Sequence, residues 1–173
     1  MTYSISEGIS QKGLTIWLKD AKQNYGVFED GRVNYTNADI APVVMCTVIY
    51  NDSILLAKRG YGLADAEGYW STIDGFIDEI KSITEQVMQE VKEELGLNIN
   101  RSQVKIGESY TLKNPQERRT YIVFPCLVSL KKEPDIVLNE EHTEFAWIRR
   151  NDLRLYHTLD DLPLAIDSAL KLK

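Results

Sequence analysis

The chain is poor in the residues that most often build metal centres, with two histidines and two cysteines in 173 residues. It also has no excess of positive charge: 20 lysines and arginines face 26 acids, for a net charge of -6. The basic groups that stand out, Arg118-Arg119 and Arg149-Arg150, are only short pairs, so no basic face for nucleic acid is expected. No apolar run approaches the roughly 18 residues of a membrane helix, and no membrane partner is expected. The opening MTYSISEGISQKGLTIWLKD lacks a charged segment followed by an apolar one, so it does not read as a secretory signal. Cys46 and Cys126 lie in separate apolar runs, which points to buried thiols rather than a disulfide and to a cytoplasmic location. His142 and His157 lack metal-ligand spacing with each other or with the cysteines, so both read as ordinary structural residues. An acidic chain of this kind can still bind anionic substrates if a cation bridges the two.

What is present is ordinary for one globular domain: 43% hydrophobic and 27% charged residues, without repeats. Residues 1–40 are polar and read as irregular, with Trp17 and Tyr25 as anchors and a short hairpin around 25–35. VVMCTVIY (43–50) and SILLAKR (53–59), separated by Asn51-Asp52, read as a β-hairpin. Residues 60–68 form a loop, and 70–77 read as a strand interrupted at Asp74-Gly75. Ser82 as N-cap, Glu85 as its capping-box partner and Gly96 as the stop predict a helix over 82–95. Strands follow at about 103–112 and 120–130 across the turn-rich NPQERR, then at 144–149, with a last helix over 160–171. The economical reading is one α/β domain with a twisted, mixed sheet between helices.

The helix carries the chemistry. Ile83, Val87, Met88, Val91 and Leu95 form its apolar face. At about 100° per residue, Glu94 falls inside that stripe and Glu90 at its edge, with Glu93 further round. A buried carboxylate without a partner costs several kcal/mol or takes up a proton, and acids four apart repel. A hard cation with oxygen ligands removes both penalties, and magnesium, or manganese, suits such a site.

From Gly75 the chain reads GFIDEIKSITEQVMQEVKEELGL, which resembles the Nudix box, Gx5Ex7REUxEExGU. Gly75, Glu90, Val91, Glu93, Glu94, Gly96 and Leu97 fall in register. The hairpin before the box, Trp70 ahead of the glycine turn, and NEEHTEFAWIRRNDL after it extend the resemblance over about 41–155. It implies a Nudix-like α/β/α sandwich over 41–173. Residues 1–40 carry no signature of that family and are expected to pack on the domain as an extension, as a cap or a homodimer surface. The resemblance further implies a metal-dependent hydrolase that cleaves the diphosphate bond of a nucleotide or nucleoside diphosphate derivative. By register, Glu90 and Glu94 would hold the metal, and Glu93 would be a ligand or the general base, with Glu90 and Glu93 the catalytic carboxylates. Asp74 would offer its backbone carbonyl to the metal, and Glu141, six residues before Trp147, a further carboxylate.

Two positions depart from the box: Lys81 stands for its first glutamate and Gln89 for its arginine. The paired change implies a modified site with fewer cations, in which Lys81 contacts substrate phosphate. Lys58 and Arg59, at the end of the hairpin, are further phosphate-binding candidates. Tyr61 and Tyr69 either stack on a base or pin a loop. The resemblance leaves two alternatives: a nucleotide-binding sensor that keeps the fold, and an isopentenyl diphosphate isomerase-like enzyme, which would need a catalytic cysteine and a histidine set.

Overall fold

The computed structural model describes residues 5–61, 66–114 and 118–173, with side chains from residue 8 onward. Its strands are β1 (Ile5–Glu7), β2 (Ile40–Tyr50), β3 (Ser53–Arg59), β4 (Trp70–Ser71), β5 (Ile73–Phe76), β6 (Val104–Ile106), β7 (Tyr110–Asn114), β8 (Arg119–Leu130) and β9 (His142–Ile148). Three α-helices accompany them among the described residues: α1 (Gln11–Asn24), α2 (Ile83–Leu95) and α3 (Leu162–Leu170).

The strands form one mixed sheet in the order β1-β7-β8-β2-β3-β4, with β5 on β2, β6 on β8 and β9 on β3. Its spine is the parallel pair β2 and β8, in register from Ile40 opposite Thr120 to Tyr50 opposite Leu130. Strands covered on both faces read as continuous apolar runs, which is what VVMCTVIY and IVFPCLV look like. One face sends Val44, Cys46, Val48, Phe124, Cys126 and Val128 into the core under α2. The other sends Ile49, Ile54, Leu56, Leu127 and Ile148 against Leu162, Ile166 and Ala169 of α3. The result is the expected α/β/α sandwich. None of the described helices is long and apolar enough to cross a membrane.

The sheet forks to make room for the site. β2 pairs with β5 over Val43–Cys46 and with β3 only at Ile49 and Tyr50. The β2–β3 hairpin turns at Asn51-Asp52, where Asn51 takes a φ of 54° that asparagine tolerates better than most residues. β9 then lies along β3 with an irregularity between Lys58 and Arg59.

Several expectations change. The described part of residues 1–40 is not irregular: Ser10 caps α1 by accepting from Gly13 N, and Leu14, Leu18 and Ala21 bury one stripe of it in the same core as α2. Around 25–35 the hairpin is reduced to a single bridge, Val27 to Val33. The break in 70–77 falls at Thr72, while Asp74 and Gly75 lie inside β5. The strand expected at 103–112 is two strands. Gly107 N donates to Pro125 O at the joint, where β8 exchanges β6 for β7 as partner. Part of NPQERR and of the 60–68 loop lies outside the described residues.

Candidate active site

α2 begins and ends as its sequence dictates. Ser82 Oγ accepts from Glu85 N, the Glu85 carboxylate accepts in return from Ser82 N, and Gly96 closes the helix at φ 68°. A good cap stabilises a helix end by about 1 kcal/mol and fixes where the helix starts, hence which face each glutamate occupies. Ile83, Val87, Val91 and Leu95 are buried, and Glu94 is only 3% exposed within that stripe. Glu90 is half-buried and Glu93 is exposed.

Each carboxylate has its own surroundings. Gln86 Nε2 donates to Glu90 Oε1 at 2.5 Å and to Phe76 O at 3.0 Å, tying the helix to the end of β5. A Cβ on Gly75 would overlap the Glu90 carboxylate, so a side chain here would have to displace that carboxylate from its bond with Gln86. Burial pushes Glu90 up to about 7, helped by Glu93 and Asp74 and opposed by its bond from Gln86 and by Lys81. Burial raises Glu94 further, to about 10, with Asp74, Glu90 and Glu141 adding to it.

Glu94 meets a partner that the sequence reading passed over. Its Oε2 lies 2.5 Å from His142 Nε2, and both side chains are almost fully buried. Burial holds His142 below its ordinary value, so carboxyl and imidazole both favour their neutral forms and share one proton. The segment leading into β9, which carries His142, is tied to the end of α2: Asn139 N donates to Glu94 O and Val137 N to Leu95 O. Asn139 Oδ1 also accepts from Glu141 N, and Glu141 O accepts from Gly60 N. In sequence, the only hint was that His142 adjoins Glu141, two residues ahead of the strand expected at 144–149; in the structure that strand begins at His142 itself.

The remaining candidates divide into near and far. Asp74 accepts from Ser71 Oγ at 3.0 Å, and Arg59 Nη1 lies 3.7 Å from its other oxygen. Arg59 also faces Glu94 and His142 electrostatically, which puts it at the cluster. Lys58, on the opposite face of β3, pairs with Glu144 at 2.7 Å and lies over the Trp70 ring. Lys81 Nζ donates to Glu79 and Gln89. Tyr61 is 81% exposed, and Tyr69 packs on His157 with ring centroids 3.9 Å apart, as a loop pin does. Cys46 and Cys126 are opposite one another in the sheet, both free and buried. Bonding to Cys126 and burial push the Cys46 thiol up, the reverse of what a nucleophilic cysteine needs.

The donor set fits a divalent cation. Glu94, Glu141 and His142 each offer a ligand atom within 4.8 Å of the others. Glu94 Oε1 is buried without a hydrogen-bond partner, an expensive state for a carboxyl oxygen unless something else engages it. Glu90 stands close by with its lysine and glutamine neighbours.

The family model for the NUDIX domain matches residues 40–166. The chain belongs to this family. Over 140 residues it is 27% identical to the nucleoside triphosphatase NudI of Salmonella arizonae, covering 75% of this chain and 94% of that one. The Nudix fold also recurs in solved structures. The NUDIX domain of Shewanella oneidensis NrtR, complexed with ADP ribose, superposes with a TM-score of 0.64 at 16% identity, covering 76% of this chain and 87% of that one. A bifunctional NMN adenylyltransferase/ADP ribose pyrophosphatase from Francisella tularensis, complexed with AMP and a manganese ion, gives 0.63 at 18%, covering 94% of this chain and 47% of that one.

Proposed function

We propose that this Nudix hydrolase is a pyrophosphohydrolase that cleaves a phosphoanhydride of a nucleoside triphosphate or nucleoside diphosphate derivative with Mg2+ or Mn2+. The observation that carries this reading is the convergence of Glu94, Glu141 and His142, with one Glu94 oxygen buried and unpartnered and Glu90 near enough to act on Glu94 electrostatically. The triphosphatase relative supports the nucleotide class.

Glu90, Glu94 and Glu141 would hold the cation, with the backbone of Asp74 as a further donor. A bound divalent ion supplies charge neutralisation on the diphosphate and activation of water. His142 keeps the Glu94 carboxylate oriented by donating from Nε2 once that carboxylate is ionised. Gln86 does the same for Glu90. Glu93, exposed on the same helix, serves as general base or additional ligand. Arg59, beside Asp74, offers its guanidinium to the phosphates, a geometry that suits bidentate binding.

The test is a panel of nucleoside triphosphates and nucleoside diphosphate derivatives incubated with Mg2+ or Mn2+, reading nucleoside monophosphate and pyrophosphate or phosphate. Metal-dependent release from wild type, lost in Glu94→Gln, is expected. Tight nucleotide binding without turnover of any of them would instead favour a sensor.

A further inference from the structure

The two departures from the box touch each other. Lys81 Nζ donates to Gln89 Oε1 at 2.5 Å, and Gln89 Nε2 donates to Glu93 Oε1 at 2.8 Å. Glu79 Oε2 holds the same ammonium from the other side at 2.8 Å. The chemistry of these groups leaves one arrangement. An ammonium only donates and a carboxylate only accepts, so an amide between them must turn its oxygen to the lysine and its NH2 to the glutamate.

We infer that Lys81 and Gln89 are positioning residues, a replacement relay that holds Glu93 in one rotamer beside Glu90. This rests on the pyrophosphohydrolase reading above. The Glu90 carboxyl feels the charge of Glu93. Without the relay Glu93 is an exposed side chain at the surface of α2, free to swing into solvent, and ordering it would have to occur at each binding event. With Lys81 in place the Gln89 amide cannot flip, so its NH2 group stays on Glu93. In this role the lysine acts through Gln89 and Glu93 and need not touch substrate.

The relay predicts that the pair can be exchanged as a unit. Lys81→Met removes the ammonium at nearly constant length, and Lys81→Glu puts acceptors on both sides of the amide. In the double variant Lys81→Glu/Gln89→Arg, the introduced guanidinium pairs with the introduced carboxylate and still donates to Glu93. The experiment uses the full chain and reads the Mn2+ dissociation constant by calorimetry, alongside kcat and KM. Loss of a residue that orients a metal ligand weakens metal binding about 10- to 100-fold, so both single variants should raise the dissociation constant at least about tenfold and lower kcat with little change in KM. The double variant should recover most of both. Single variants that bind Mn2+ as wild type does, a Lys81→Glu protein that takes up an extra ion, a rise in KM alone, or a double variant no better than the singles would each overturn the relay. Wild type that binds no Mn2+ at all would overturn the hydrolase reading and the relay with it, whereas metal binding insensitive to Lys81 overturns the relay alone.

Discussion

His142 Nε2 and Glu94 Oε2 lie 2.5 Å apart, buried together although 48 residues separate them in the chain. The pair solves a problem that α2 creates for itself. A glutamate in the apolar stripe of a helix needs a hydrogen-bond partner that does not bring a second permanent charge into the core. Neutral imidazole meets that need, and it leaves the other carboxyl oxygen for a cation.

His142→Phe keeps most of the ring volume and removes the bond. A buried polar group stranded in this way costs about 1–3 kcal/mol, so the variant should lose about 2 kcal/mol of stability in EDTA, measured by urea unfolding. Its Mg2+ affinity should fall as well, because the Glu94 carboxylate then has no donor to orient it. Unchanged unfolding would mean that the pair contributes nothing to the fold.

Glu90 and Glu94 give the metal-free protein an inverted pH dependence. Both have folded values raised above the ordinary carboxylate value of 4.5, to about 7 and about 10. Their stabilising contribution is therefore complete below about pH 4.5 and is lost as pH rises through those folded values. His142 opposes this in acid, where the unfolded state gains its proton, but above pH 6.5, the ordinary histidine value, the ring is largely neutral in both states. Between about pH 7 and 9 the carboxyls act without it, and the melting temperature in EDTA should fall. Saturating Mg2+ should flatten that decline and should bind more tightly at pH 8 than at pH 6, since ligands must first release their protons. A melting temperature in EDTA that rises over this range would contradict the assignment.

How much of this was legible in sequence follows from how local each signal is. The caps of α2 are set by Ser82, Glu85 and Gly96 within a few residues of the helix ends, and all three act as read. Glu94 could be placed in the apolar stripe because a helical wheel needs only the helix itself. By contrast, α1 hides its stripe of Leu14, Leu18 and Ala21 among Lys12, Lys19, Asp20, Lys22 and Gln23, so its hydrophobic period is easily lost. His142 was invisible for a different reason. Its role depends on β9 running along β3, and no spacing in the chain encodes that pairing. Lys81 and Gln89 were recognisable as a paired change, but their mutual bond and the bond to Glu93 required the loop before α2 to be seen folded back on the helix.

Gly75→Ala tests the close approach between β5 and α2. Its Cβ would collide with the Glu90 carboxylate, pushing it from Gln86. Overpacking of this kind typically costs about 1–3 kcal/mol, and the displaced ligand should weaken Mg2+ binding as well. The double variant Gly75→Ala/Glu90→Ala removes the collision but not the loss of the ligand. It should regain stability in denaturant titrations while remaining impaired in metal binding by calorimetry. If the double variant is no more stable than Gly75→Ala, the glycine is required for some reason other than Glu90.

Leu18→Ala asks whether residues 1–40 are part of the domain or a detachable cover. Leu18 is 1% exposed and shares a core with Val87 and Val91 of α2, beside the aromatic group formed by Trp17, Tyr25 and Tyr35. Truncating a buried leucine costs about 2–5 kcal/mol. If α1 belongs to the same cooperative unit, that loss appears as a lower midpoint of one transition, reported alike by tryptophan fluorescence and by circular dichroism. A cap that melts independently would instead give two transitions, with only the earlier one sensitive to Leu18. The shared core favours the first outcome, because α1 and the helix that holds Glu90 and Glu94 contribute to the same buried cluster. With one cooperative unit, Leu18→Ala should reduce metal affinity only at temperatures near its own midpoint.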